Sequence, residues 1–158
     1  MNALKLLDTQ GRVTPEDSRT HIRIPFELNT SGSRLNFSFE YAPKVLEDRE
    51  QAVKLLQDSY EIYILPEQRE QANARAERHL PLKNLITLSL DDAQGYRGAC
   101  HRHDPLQELF VSQHEASPGL MAGEVAAGSW NVTLSLHCIV TDICDYRLQI
   151  WTSEEADA

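Results

Sequence analysis

The chain has 158 residues, 15 basic and 24 acidic side chains and a formal charge of −9, the size of one domain that can bury its own core without metals or disulfides. Apolar residues at 41% and charged residues at 25% exclude wholesale disorder, and an acidic balance with no basic cluster argues against nucleic acid as a partner. No apolar run approaches the roughly 20 residues of a membrane span, and Met1 to Arg12 lacks a signal peptide's apolar core, so no membrane partner and a cytoplasmic location are expected.

Residues 1–18 show little apolar periodicity and read as a flexible arm in which only Leu4 to Leu7 can add contacts. Order is expected from Thr20. Ile22, Ile24, Phe26 and Leu28 alternate with His21, Arg23 and Glu27, the pattern of a half-buried strand. Pro25 removes one ladder donor, which predicts an edge position or a bulge. Turn chemistry at Asn29 to Ser33 precedes a second alternation, Leu35, Phe37, Phe39 and Tyr41 against Arg34, Asn36, Ser38 and Glu40. The two segments predict a hairpin or a sheet-crossing pair.

After Pro43 the period lengthens. Val45, Ala52, Val53, Leu56, Tyr60 and Tyr63 predict a helix over about 46–63, its apolar face packed on the sheet. Pro66 closes it and opens a second helix with almost no apolar stripe, which Pro81 ends. Strand signals return at 84–90, 96–101, 109–113, 120–121, 129–140 and 146–152. The clearest places Trp130, Val132, Leu134 and Leu136 inward, and the same alternation predicts Cys138 as a core thiol. Short alternating strands with one helical excursion predict a mainly β fold, an antiparallel β-sandwich of jelly-roll or immunoglobulin-like type, with a helical insertion of one or two helices around 44–80. The domain spans 19–152, and an acidic tail over 153–158 is expected to be disordered.

Gly95, Tyr96, Arg97, Gly98 and Ala99, then Ser117, Pro118 and Gly119, then Gly128, Ser129, Trp130, Asn131 and Val132 resemble the sandwich that precedes the catalytic domain in CehA/McbA-type PHP metal-dependent phosphoesterases. The hairpin from Ile24 to Glu27 and from Leu35 to Pro43 resembles the opening of the same module. The resemblance covers about 20–151, interrupted at 44–80, and implies a stand-alone accessory sandwich with a separately encoded phosphoesterase as one possible partner. Six or seven residues after the last predicted strand leave no room for the family's metal-binding barrel, so hydrolase activity is not carried over.

Other chemistry can be weighed residue by residue. His101 and His103 form an HxH that on a strand would share one face and could chelate a divalent transition metal, with Asp104, His114, His137 or Cys100 as further donors. The plainer reading is a solvated face. Cys100, Cys138 and Cys144, an odd number without CxxC, read as free thiols, with nucleophilic catalysis the lesser alternative. Asp91 and Asp92 suit a self-capping turn better than Ca²⁺ binding. Arg97 is expected to pair with Asp91 or Asp92 and to stack on an aromatic ring, a structural role. Tyr96, Arg97, Gly98, Pro118, Gly119, Gly128 and Trp130 are accordingly assigned to folding. The expected function is a non-enzymatic accessory or binding module acting through protein contacts, with a homodimer as one form of partner and no cofactor. A metal-binding protein or metal-dependent hydrolase is the first alternative, and a carbohydrate- or small-ligand-binding sandwich using an exposed Trp151 or Tyr96 is the second.

Overall fold

The computed structural model describes residues 3–154. In chain order its strands are β1 (Leu4–Val13), β2 (Thr20–Leu28), β3 (Arg34–Ala42), β4 (Val45–Leu46), β5 (Leu82–Lys83), β6 (Leu85–Asp92), β7 (Gly95–Cys100), β8 (Leu106–Ser112), β9 (Gly128–Cys138) and β10 (Cys144–Ser153). One sheet runs β1-β10-β3-β8 and the other β2-β9-β6-β7, with antiparallel pairing throughout. Apart from the short β4 and β5, only β6 and β7 follow one another within a sheet. Every other connection crosses from sheet to sheet, which is the wrapped strand order of a jelly roll and decides between the two expected sandwich types.

The alternation explains the core. Leu35, Phe37 and Phe39 of β3 and Leu148 and Ile150 of β10 face Ile86, Leu88 and Leu90 of β6 and Trp130, Val132 and Leu134 of β9, all essentially solvent-free. Each such side chain contributes about 1.5–3 kcal/mol, so the four central strands hold the sandwich together. Pro25 sits on β2, an edge strand, the place in a sheet where a missing ladder donor is tolerated.

The expected flexible arm over 1–18 is corrected. Leu4–Val13 is β1, paired along its length with β10, and Pro15–Asp17 forms a short 3₁₀ turn capped by Thr14. Asp8, Gln10 and Arg12 face solvent, and the inward phase, Leu7, Thr9, Gly11 and Val13, is apolar only at its ends, so this edge strand carries a weak periodic signal. Ser153 likewise belongs to β10, paired with Arg34, whereas residues 155–158 of the expected tail lie outside the described residues.

Helices α1 (Arg49–Tyr63) and α2 (Pro66–Ala74) lie between β4 and β5, which pair with each other and close the excursion at its neck. Asp48 caps α1 by accepting from the Gln51 N–H at 3.1 Å. Contrary to expectation, α1 does not cover a sheet. Leu46, Ala52 and Val140 form a separate small cluster with Leu55, Leu80 and Leu82, so the helices pack at one end of the sandwich. Cys138 is also exposed rather than buried. Opposite Leu85 and Ile86 the register passes from Cys138 to Leu136, so His137 is an extra residue and the inward phase ends at Leu136. The expected strand at 120–121 is reduced to a single bridge between Leu120 and Gly98.

Candidate functional site

Arg97, Gly98, Gly119 and Trp130 converge on one structural knot. Arg97, buried at the edge of the core, donates from Nη1 to Asp92 Oδ2 at 2.9 Å and to the Glu124 carbonyl at 2.9 Å. Its Nη2 donates to the Met121 and Gly123 carbonyls, and its guanidinium lies 5.2 Å from the Trp130 ring centroid. Trp130 Nε1 donates to the Ala126 carbonyl at 2.9 Å. Gly98 has φ +112°, and a Cβ there would fall 2.2 Å from the Gly119 carbonyl oxygen, so β7 and the 117–120 turn can touch only through glycine. Burial alone would raise the Asp92 carboxyl, but the Arg97 guanidinium and the Gln94 and Gly95 N–H groups outweigh it and hold that carboxyl below the ordinary aspartate value. These groups tie a loop to a sheet edge and satisfy one another. Tyr96, beside Arg97, is by contrast a large, strongly exposed side chain.

The proposed metal donors do not assemble in the same way. His101, His103 and Asp104 lie on the irregular β7–β8 connection rather than on a strand, and all three are exposed. His114 lies beyond the opposite end of β8, roughly 20 Å away at about 3.3 Å per residue. Among the described residues no three His, Cys, Asp or Glu side chains are gathered to hold a metal ion. His137 instead bonds Thr87 Oγ1 through Nε2 at 2.8 Å. The thiols are not activated either. Burial pushes Cys144 up to about 11 and raises Cys100, the reverse of a nucleophilic cysteine.

The most structured open surface is the outer face of β1-β10-β3-β8. Register fixes its side chains in rows, of which one reads Lys5, Trp151, Asn36, Phe110 across the four strands and the next Asp8, Gln149, Ser38, Glu108. Trp151 is half-buried and separates two clefts. One, of about 340 Å³, is lined by Arg34, Asn36, Glu108, Phe110 and Trp151; the other, of about 230 Å³, by Lys5, Gln149 and Trp151. Arg34 is held in place before any ligand arrives. Its guanidinium lies 3.9 Å from the Phe110 ring centroid, and its Nε donates to Asn36 Oδ1 at 2.8 Å. Asn36, 92% buried, is itself fixed by donating to Ser153 Oγ at 2.9 Å and to the Trp151 carbonyl.

On β1 and β10 the charge of this face is neutralised locally. Arg147 grips Asp8 through two bonds of 3.0 and 2.9 Å, Lys5 adds a third, and Arg12 pairs with Asp145. The bonds from Arg147 and then Lys5 hold Asp8 well below the usual carboxylate range. Arg34, Glu108 and Glu40 have no ion-pair partner among the described residues, and the first two line one cleft together. A third cavity, of about 520 Å³, opens at the far end of the face beside Glu40, Asp145 and Arg147. Sequence reading singled out Trp151 but missed Arg34, Asn36, Glu108 and Phe110, whose only signal is their outward phase on β3 and β8.

These features define a jelly-roll sandwich with an aromatic and polar sheet face. No family model and no curated protein matches the chain. Among solved structures, a crystal structure of a protein from Sulfurospirillum deleyianum is similar at 6% identity and a TM-score of 0.35, covering 94% of this chain and 99% of the other. No helix among the described residues is long and apolar enough to cross a membrane.

Proposed function

We propose that this chain is a non-catalytic binding module whose recognition surface is the outer face of β1-β10-β3-β8. One observation carries the proposal: a half-exposed tryptophan stands between two clefts beside an arginine locked by a buried asparagine. Pre-ordered aromatic and polar side chains on a rigid sheet lose little entropy on binding, which is how a modest cleft acquires affinity. The resemblance to the accessory sandwich of PHP phosphoesterases is compatible with a binding role and supports no more than the sandwich itself.

Trp130 is solvent-free and Trp151 is not, so a ligand on this face changes the emission of Trp151 alone. A thermal-shift panel of sugars, peptides and nucleotides should yield a stabilising compound that also alters tryptophan emission in the native protein and no longer does so in Trp151→Phe. Stabilising compounds that leave Trp151 emission untouched would place the recognition surface elsewhere.

A second reading, homodimerisation, is favoured by Ile62, Tyr63 and Leu65, 72%, 64% and 58% exposed at the corner between α1 and α2. An apolar corner of this kind can meet its own copy across a two-fold axis. Light scattering should then give twice the 17.9 kDa chain mass, reverting to one chain in Ile62→Glu; a monomer at all concentrations removes this reading.

A further inference from the structure

From the same surface, and resting on the binding-module reading, we infer that the ligand is a neutral carbohydrate chain that lies across Trp151 and occupies the clefts on both sides of it. The charge arrangement selects the class. In the larger cleft Arg34 leaves both Nη groups without a protein partner, and Glu108 leaves its carboxylate without one, among the described residues. An anionic ligand drawn to Arg34 meets Glu108, and a cationic ligand drawn to Glu108 meets Arg34. A ligand whose every edge both donates and accepts satisfies the two together, and that is the chemistry of ring hydroxyls.

The smaller cleft repeats the balance, since its Lys5 is already paired with Asp8 at 3.0 Å. Between the clefts stands the half-buried Trp151, an apolar ring beside polar groups, the pairing suited to a pyranose whose C–H face is apolar and whose edge is wet. Lys5, Trp151, Asn36 and Phe110 lie in one row across four strands, each about 4.8 Å from the next. Asn36 in this row is buried and Phe110 lies under Arg34, so the open length comes from the clefts on both sides of Trp151, which together extend beyond one sugar ring and favour a chain over a monosaccharide. The alternative occupants of an aromatic platform fare worse. A nucleic-acid strand would bring phosphates to a chain of net charge −9 whose free carboxylate stands in the cleft.

The test is titration of the isotope-labelled protein, followed by amide NMR, with neutral cello-, malto-, xylo- and manno-oligosaccharides. Oligogalacturonate serves as the anionic probe, chitosan oligomers as the cationic probe and a mixed peptide pool as the protein-like probe. The expected result is saturable shifts on β10, β3 and β8 with at least one neutral oligosaccharide. Binding should weaken about tenfold or more in Trp151→Ala and measurably in Glu108→Gln, an exposed substitution that leaves the core intact. Glu108→Gln should also bring oligogalacturonate closer to the neutral ligands in affinity.

Shifts on this face with the charged probes or peptides only would overturn the carbohydrate inference and leave the binding-module reading standing. Shifts on this face with no probe would overturn both. Binding of a neutral oligosaccharide that Trp151→Ala leaves unchanged, in a protein whose thermal midpoint shows it folded, would overturn the inference as well.

Discussion

Arg97 gives the sharpest test of the knot that holds β7 to the loop before β9. Its side chain is 9% exposed and that of Asp92 12%, so Arg97→Met strands a carboxylate that water barely reaches. Removing one partner of a buried pair costs about 3–5 kcal/mol. Three main-chain carbonyls, those of Met121, Gly123 and Glu124, lose their donor too. They sit on a largely exposed loop where water replaces the lost bonds, so they add little. A total of about 4 kcal/mol is a large share of the roughly 5–15 kcal/mol that stabilises a domain, and at about 2–4 °C per kcal/mol it lowers the thermal midpoint by about 8–16 °C.

Urea unfolding in a Trp151→Phe background, followed by emission of Trp130, whose ring faces the Arg97 guanidinium, measures this directly. Arg97→Lys should not rescue, because a point charge cannot reach three carbonyls and a carboxylate together. The double variant Asp92→Asn, Arg97→Met should be more stable than the two single losses imply, by about 1–3 kcal/mol. The pH dependence has a definite sign. Asp92 is held below its ordinary value in the fold, so its contribution is present above the unfolded aspartate pKa and is lost as pH falls through the lower folded value. Native protein and Asp92→Asn should therefore differ at neutral pH and converge in acid. A loss below about 1 kcal/mol in Arg97→Met, the range of an ordinary surface change, would refute the knot.

Gly98→Ala should destabilise by about 1–3 kcal/mol through its positive φ and by a similar amount through the 2.2 Å approach to the Gly119 carbonyl. Thermal unfolding checks this, and a midpoint within a degree or two of the native protein's would count against the close approach. The thiols should separate by burial. At pH 8 a thiol reagent should label the exposed Cys138 first, while Cys144, raised to about 11 by burial, and the buried Cys100 react only as the protein opens. Labelled-peptide mass spectrometry over time reads the order, and early modification of Cys144 would contradict its burial.

What the sequence made legible was periodicity backed by burial. β2, β3 and β9 carry uninterrupted alternation, and α1 begins beside a capping aspartate, so each was found within a few residues. β1 is hard to read because its inward phase, Leu7, Thr9, Gly11 and Val13, is apolar only at its ends and a bulge between Lys5 and Leu7 breaks the run. Cys138 was misplaced because one extra residue at His137 ends the inward phase, and a bulge has no signature in an alternating run. The HxH spacing was legible, yet it predicted a strand face, and residues 101–105 form a loop instead. The cleft beside Trp151 was beyond local reading altogether. It exists only because the register sets Trp151 against Asn36, and Asn36 against Phe110, joining strands from three distant parts of the chain.

If the outer face of β1-β10-β3-β8 is the recognition surface, the two sheets carry separate roles. Arg97, Gly98, Gly119 and Trp130 fasten the loop before β9 to β7 and the β2-β9-β6-β7 sheet, and their polar groups are consumed in doing so. Residues whose hydrogen bonds are already used internally transmit architecture, not recognition. The side chains with unspent capacity, Arg34 and Glu108, lie on the outer face of the opposite sheet, which α1 and α2 leave open because they pack at the end of the sandwich. Specificity can therefore change on one sheet while the knot on the other stays as it is. Substitutions at Glu108 or Trp151 should move binding with little effect on stability, and Arg97→Met should move stability with little effect on binding wherever the protein remains folded. Measuring both quantities on the same variants decides it: a binding loss in Arg97→Met matching that of Trp151→Ala would show that the two sheets do not act independently.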